Sequence, residues 1–515
     1  MKTLIKNGLI VDGSGNEPFI GAVLIVDGVI AEIGQMPFTT DDEMVLIDAS
    51  GRLITPGFVD IHRHADYAAL KDGFGEIELA QGITTAVTGA CGLTPYPYTS
   101  EMSDMLMPIL GEKPFTIPSF AEYRDALTAR ALPINIGGML GSVSLRAAVK
   151  GFINAPFTRT EITAARALVD EALADGALGL SLGLMYQPEC FSSIDEIAEI
   201  ANVAAHYDSV LTAHIRGEGD TLVKSVKEAI QIAKRAGLPL EISHFKSCGT
   251  NNWNKEIFKA IKVIETAREH HDITVDFYPY HGGATMLLSL LPPDFPQADW
   301  QKPKAIYEAL TKEYQGWDNY VLSLGLERII LNALTKREHR DYNGKSFMEI
   351  YLKMGIKPCE LMSKLLTSEA GRVGIIIMSM SPDDVDTVAK LPYASVISDA
   401  LYHEHSKTAH PRLFSAYPKI IREFVRERKV LTMPEAIRKM SAMPAERLKI
   451  RKRGLIKKGY FADLNVFAPE HIRDRSDFHK SGLIAEGMDY VFVNGMLAWE
   501  NGKIAGKSGR FIASD

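Results

Sequence analysis

Histidine, cysteine and aspartate, the side chains best suited to binding a metal, recur in this chain at the ends of short apolar runs. The first run, GFVDIHRH, finishes in His62-Arg63-His64. Successive side chains of a strand alternate in direction, so both imidazoles point to the same side. GITTAVTG leads to Cys91, VLTAHIRG carries His214, PLEISHFK carries His244, and ASVISDA ends at Asp399. One thiolate, four imidazoles and one carboxylate make the mixed S, N and O donor set that suits zinc. Each piece alone has an ordinary reading: HxH in a strand can be structural, a buried cysteine is a small hydrophobe, and Ser-Asp at a strand end commonly caps a helix. Their shared position at strand ends carries the weight, and that position depends on the elements presenting them.

INIGGMLG, GALGLSLGL and ITVDFYPY complete a set of eight apolar runs between residues 56 and 450. Most are continuous, as parallel strands buried on both faces must be. The intervening stretches have helical periodicity and punctuation. Thr158-x-x-Glu161 is a capping box ahead of Ala165, Leu168, Val169 and Ala172, while Val226, Ile230 and Ala233 line one face of a helix that stops at Gly237. Eight strand–helix units predict an α/β fold, a (β/α)8 TIM barrel, whose functional groups gather at the C-terminal ends of the strands. All six candidate donors then meet on one rim.

Two parts of the chain break this rhythm. The stretch from about 287 to 390, with Pro292-Pro293, several helical patterns and the run GIIIMSMS, exceeds one crossover helix. It is expected to be a helical insertion between strands 7 and 8, covering the substrate from the active-site face. At the two ends, TLIKNGLIV, AVLIVDGVIAEIG and VLIDA, then ADLNVFA, YVFVNGMLAWENGKI and GRFI, alternate with turn signals such as Asn494-Gly495. They predict a small β-sandwich domain formed by residues 1–55 and 451–515 around a hydrolase domain at 56–450.

The composition suits a soluble globular protein with a large core: 515 residues, 46% hydrophobic and 23% charged. A net charge of -7, with lysines and arginines scattered, points away from nucleic acid and anionic membranes and towards a small-molecule substrate. The N-terminal MKTLIKNGLIVDGSG has no apolar signal region and no stretch is long enough to span a bilayer, so a cytoplasmic location is expected. The four cysteines are widely spaced without a CxxC, which argues against a disulfide framework; Cys190, Cys248 and Cys359 read as packing residues.

The segments ITPGFVDIHRH, TAHIRGEGD, EISHFK, ISDA and RGLIKKGYFADLNVF, the last with Gly454, Gly459 and Asp463, resemble the amidohydrolase superfamily over nearly the whole chain. Many dinuclear members carry a bridging lysine on the fourth strand, but GALGLSLGLMYQP has none. TAVTGACG around Cys91, with HIRGEGD, ISHFKSCG, DFYPYHGGAT and HPRLF, is instead similar to the N-acyl-D-amino-acid deacylases. That resemblance implies zinc-dependent hydrolysis of N-acyl-D-amino acids to a D-amino acid and a carboxylic acid. It implies a tight zinc site of Cys91, His214 and His244, with His62, His64 and Asp399 around a second, weaker position. Asp399 would be the general acid/base, and Lys246, Tyr278 and Arg412 would grip the substrate carboxylate or orient the scissile carbonyl. Glu218 and Tyr186 lie in similar motifs. The chain departs from the family at Ala400 and Ala284, where glycine and serine are common, and in a longer loop between Asp399 and His410-Pro411-Arg412. These departures bear on substrate choice. The rival readings are a related hydrolase of cyclic amides or dipeptides, which usually keeps the lysine, and a non-catalytic barrel, which the full donor set opposes.

On this reading the purified protein carries about one tightly bound zinc per chain, because a thiolate and two imidazoles form a soft site. Metal analysis of Cys91→Ala should find that zinc lost; an undiminished content would remove Cys91 from the ligands.

Overall fold

The computed structural model describes residues 2–35, 44–110, 113, 115–334, 336–402 and 408–514. Strand Phe58–Asp60 pairs in parallel with Ile83–Thr88, which pairs in turn with Asn135–Gly138. Leu140–Gly141 continues that third run and pairs with Gly179–Gly183, followed by Val210–His214, Leu240–Ile242, Ile273–Phe277 and Ala394–Val396, each parallel to the last. Ala400–Leu401 then lies parallel to Arg63–His64, beside the first strand. Most residues of these strands are buried on both faces, which explains why they read as apolar runs rather than alternating ones. The helices carry the expected ends: Thr158 caps Arg159–Ala174 in a capping box with Glu161, and Leu222–Ala236 stops at Gly237 with φ 74°.

The two chain ends meet in one nine-stranded sheet. Its joint is the antiparallel pair Leu53–Pro56 with Leu464–Phe467; hairpin Met488–Val493/Met496–Glu500 extends it on one side and strand Lys2–Ile10 on the other. The sandwich expected from the sequence is therefore drawn as one continuous hydrogen-bonded sheet, whose edge at Val29 bridges back to Phe461. Ile5, Val23, Ile30, Ile54, Leu464, Val466 and Phe492 fill the space it encloses. A buried polar hub ties this sheet to the parallel strands. Asp463 accepts from Asn494 N (2.7 Å) and Asn135 Nδ2 (3.2 Å), Arg453 reaches both Asp463 and Asn494, and Asn494 Nδ2 donates to Asn135 Oδ1 (2.8 Å).

The C-terminal run GRFI departs from the expected boundary. Phe511–Ile512 leaves the small sheet and pairs in parallel with Asn135–Gly138. The reason is a gap: direct bonding between the third and fourth runs begins only at Leu178 N to Gly138 O, so the earlier part of Asn135–Gly138 has a free edge. Ile136 N donates instead to Arg510 O (3.0 Å), Ser514 N donates to Gly176 O (3.0 Å), and the Phe511 ring packs edge-on against Phe120 at 6.0 Å.

The segment between Ile273–Phe277 and Ala394–Val396 also differs from a purely helical insertion. Helices Pro303–Leu310, Phe347–Met354 and Pro358–Ser368 are joined by a three-stranded antiparallel sheet, Gly283–Met286, Gly374–Ile377 and Ile329–Asn332, with Gly374–Ile377 central. Leu287, Ile306, Leu331, Phe347, Leu365 and Ile375 give it a core of its own. GIIIM stands out as a strand in sequence because all four residues of the central strand are buried, whereas Gly283–Met286 is short of apolar residues and only partly buried.

Removing residues 509–515 should reopen the free edge and expose Phe120. We expect calorimetry to show a midpoint lower by roughly 2–5 °C; an unchanged midpoint would mean the strand contributes nothing to stability.

Candidate metal centre

The strand ends place their donors within reach of one another. His62, His64, Cys91 and Asp399 have ligand atoms all within 4.8 Å of one another, and so do Cys91, His214 and His244. Cys91 belongs to both groups. Its Sγ lies 3.2 Å from His62 Nε2 and 3.4 Å from His244 Nε2. Asp399 Oδ1 lies 3.5 Å from His62 Nε2 and 3.4 Å from His64 Nε2, so the two imidazoles of His62-Arg63-His64 do face one side. The sequence reading separates Asp399 from the thiolate, whereas here both stand in one cluster. All six residues are buried.

Backbone geometry shows what this convergence demands. Cys91, His244 and Asp399 have φ of 54°, 37° and 50°, a left-handed conformation that L-residues rarely adopt and that costs on the order of 1–3 kcal/mol each. The chain turns sharply at the strand end to aim the donor inward. Close packing under Cys91 requires glycine: a Cβ on Gly183 would lie 2.2 Å from Cys91 O, and one on Gly141 would lie 2.4 Å from Gly92 O.

Burial by itself would raise the Cys91 thiol, but the imidazoles of His62, His244 and His214 hold it well below its usual range, as a thiolate. Burial, together with the charge of His244, pushes His214 down, keeping its imidazole neutral. Both its ring nitrogens, and His64 Nδ1, are buried with no hydrogen-bond partner among the described residues. Buried imidazole nitrogens without hydrogen-bond partners, beside a thiolate, have the donor chemistry that fits a metal ion. His244 Nδ1 is 3.0 Å from Glu218 Oε1, so with Nε2 used as a ligand its Nδ1–H donates to that carboxylate, an arrangement that fixes the ring.

Around this cluster lies a recess whose lining includes Tyr186, Glu218, Lys246, Tyr278, Asp399 and Arg412. Lys246 Nζ contacts both Glu218 Oε1 and His244 Nδ1 at 2.6 Å. The Tyr278 ring carries the Arg412 guanidinium at 4.6 Å and the Lys246 ammonium at 5.7 Å. Arg412, 1% exposed, sets Nη1 2.8 Å from Asp399 Oδ2. Its nitrogens otherwise lack hydrogen-bond acceptors among the described residues. Burial would raise the Asp399 carboxyl, yet Arg412 and the His64 hydrogen bond hold it far below the usual carboxylate range. Cys248, read from sequence as packing, also lines this recess; burial raises its thiol to about 12. The longer loop before Arg412 includes residues 403–407, which lie outside the described residues.

Several supporting residues escape a sequence reading. Asp276, inside Ile273–Phe277, accepts a hydrogen bond from His244 N and sets Oδ2 3.6 Å from His62 Nδ1. Asp60 and Ser398 join the first and last strands through Ser398 Oγ to Asp60 Oδ2 (2.5 Å), and Arg63, wholly buried on the face opposite its histidine neighbours, bonds Ser398 Oγ (3.0 Å) and Glu78 Oε1 (2.5 Å). His410 Nε2 donates to Gly282 O (2.8 Å) and its Nδ1 accepts from Arg412 N (3.1 Å), with burial and Arg412 keeping it neutral. The usable signal was a charged residue inside an apolar run, as in VDI, DFY and HRH.

A model of the amidohydrolase family matches residues 45–286 and 384–498, interrupted across the inserted segment. The chain belongs to the amidohydrolase family. This amidohydrolase is 29% identical to a D-aminoacylase of Alcaligenes xylosoxydans xylosoxydans over 99% of its own length and 97% of the relative's. Among solved structures, a crystal structure of D-aminoacylase, described as defining a novel subset of amidohydrolases, superposes with a TM-score of 0.85 at 28% identity, covering 99% of both chains. An N-acyl-D-glutamate deacylase from Bordetella bronchiseptica, complexed with zinc and a phosphonate inhibitor that mimics the tetrahedral intermediate, superposes with a TM-score of 0.84 at 27% identity, again over 99% of both chains. No helix among the amidohydrolase's described residues is long and apolar enough to cross a membrane.

Asp276→Asn keeps the side chain's shape but removes the charge beside His62. Metal retention against a competing chelator should weaken by about 10–100-fold; unchanged retention would confine Asp276 to a backbone role.

Proposed function

We propose that this amidohydrolase is a zinc-dependent N-acyl-D-amino-acid deacylase acting at the C-terminal mouth of a closed (β/α)8 barrel. The parallel pairings that return from Ala400–Leu401 to Arg63–His64 support the barrel. We read residues 56–450 as the hydrolase domain and the two chain ends as a small β-domain, apart from the closing strand. The observation that carries the function is the juxtaposition of two donor groups sharing Cys91 with a buried arginine that touches Asp399 through Nη1 and whose other guanidinium nitrogens have no acceptor among the described residues. The gap between a metal site and an anion site is where an N-acyl amino acid would lay its amide. The absence of a lysine in Gly179–Gly183 disfavours the lysine-bridged hydrolases of cyclic amides.

Cys91, His214 and His244 would hold the tightly bound zinc, and His62, His64 and Asp399, with the shared thiolate, a second and weaker ion. When bound, zinc supplies Lewis acidity that brings the pKa of water towards about 7 and polarises a carbonyl. The protein's own groups do the rest. Arg412 receives the substrate α-carboxylate bidentately, held flat against Tyr278. That new anion also offsets the charge Arg412 exerts on Asp399, making the carboxylate a better base once substrate is bound. Asp399 takes the proton of the attacking water and returns it to the amine nitrogen as the acyl–nitrogen bond breaks. Lys246 and Tyr278 orient the acyl carbonyl, and Glu218 keeps His244 and Lys246 in place.

Zinc-loaded protein should release D-methionine from N-acetyl-D-methionine and leave the L-enantiomer intact; the reverse preference, or no release, would reject the deacylase reading. Asp399→Asn should keep substrate affinity while kcat falls by roughly 10²–10⁴-fold, the range for losing a general acid/base. If Asp399 merely capped a helix, asparagine would serve equally well and turnover would stay ordinary. Arg412→Lys should cost kcat/KM on the order of 2–4 kcal/mol, as expected for one partner of a buried charge pair; near-normal kcat/KM would move the carboxylate elsewhere.

A further inference from the structure

We propose that Arg63, the residue between the two metal-facing histidines, is a positioning residue that sets Arg412 against Asp399 from behind the strands. The inference rests on the deacylase reading above and adds to it a residue that does not line the recess.

The Arg63 guanidinium meets both ends of the chain segment that joins Asp399 to Arg412. At one end its Nη1 donates to Ser398 Oγ (3.0 Å), immediately before Asp399, while Nε and Nη2 donate to Tyr402 OH (3.2 and 3.1 Å) just beyond it. At the other end Nη2 donates to Leu413 O (3.4 Å), the carbonyl next to Arg412, and Gln81 Nε2 donates to the same oxygen at 2.9 Å. Glu78 Oε1 accepts from Arg63 Nη2 (2.5 Å) and from Tyr402 OH, so one carboxylate holds the guanidinium and the phenol together. Side chains alternate along a strand, so bonds made on this outer face fix residues whose neighbours point inward to the donor cluster.

Asp60, Arg63 and Glu78 are all buried, and burying three charges adds little net stability over hydrocarbon of the same volume. What a planar fork of fixed N–H directions does supply is position. Inside the strands, Arg412 Nη1 lies 2.8 Å from Asp399 Oδ2 and its guanidinium lies over the Tyr278 ring at 4.6 Å. Both contacts hold the tip of the side chain. The helix it opens, Arg412–Lys419, departs from helical geometry at Ser415, so the two bonds on Leu413 O brace the backbone beneath the guanidinium. A bidentate grip on a carboxylate depends on that placement, since an error of about 1 Å can cost on the order of 100-fold.

Arg63→Lys keeps the charge but replaces the fork with one ammonium, which cannot span these acceptors. Tyr402→Phe removes only the hydroxyl, away from the metal ligands. With zinc-loaded full-length protein, KM for N-acetyl-D-methionine should rise on the order of 10-fold in each, with kcat changed by less than about 3-fold and bound zinc unchanged. Because the effect passes through Arg412, it should largely vanish when either change is added to Arg412→Lys. An unaltered KM, a loss of zinc, a loss confined to kcat, or one that multiplies in full with that of Arg412→Lys would overturn the role of Arg63 and leave the deacylase reading intact. Absence of D-methionine release by the unsubstituted protein would overturn that reading, and the role of Arg63 with it.

Discussion

A buried thiolate cannot stand without positive charge or a metal beside it, and the position of Cys91 between two sets of imidazoles governs the centre of this molecule. Its Sγ is within 3.4 Å of imidazole nitrogens from the first and sixth strands, and it belongs to both donor clusters. Assembling one thiolate, four imidazoles and a carboxylate without water is costly unless a cation compensates the anions and uses the lone pairs. The His214 nitrogens, which have no hydrogen-bond partner among the described residues, and the left-handed backbone at Cys91, His244 and Asp399 belong to the same requirement. Strain of this kind persists only where the surrounding packing over-determines it.

That packing is supplied in concentric layers. Gly141 and Gly183 let the loop bearing Cys91 settle directly on neighbouring strand ends. Asp276 and Glu218 hold His244 from two sides, and the Asp60–Ser398–Arg63–Glu78 network locks the last strand to the first, which sets Asp399 against the two histidines. Further out, the Asp463–Asn494–Asn135 hub carries the small sheet, and the C-terminal strand fills the open edge of Asn135–Gly138. Fold and site are thus coupled: the residues closing the strand arrangement also orient the donors.

Much of this was legible in the sequence because burial on both faces writes itself as uninterrupted apolar runs, and because His, Cys and Asp are conspicuous at their ends. The capped helices at Thr158 and Gly237 were legible for equally local reasons. What escaped was non-local. The pairing of Phe511–Ile512 with residues 375 positions away depends on an edge that exists only once the other strands are in place. Gly283–Met286 and Ile329–Asn332 carry no clear alternation and become strands through their pairing with Gly374–Ile377. Asp60, Arg63 and Asp276 looked like interruptions of apolar runs, since a charge inside a strand shows its purpose only when its partner from another strand is known. The twofold membership of Cys91 likewise needs three dimensions, because spacing along the chain cannot tell one cluster from two that share a member.

Whether that thiolate is a ligand to the most tightly held metal is reported directly by cobalt(II), through sulfur-to-metal charge transfer. Titrating metal-free protein with cobalt should raise a thiolate charge-transfer band in the near ultraviolet that reaches its full height with the first equivalent, while the tetrahedral visible bands grow in parallel. A first equivalent that binds tightly with no thiolate band would contradict the account, for it would place the working metal among imidazoles and carboxylate alone and leave Cys91 a buried thiol without a function.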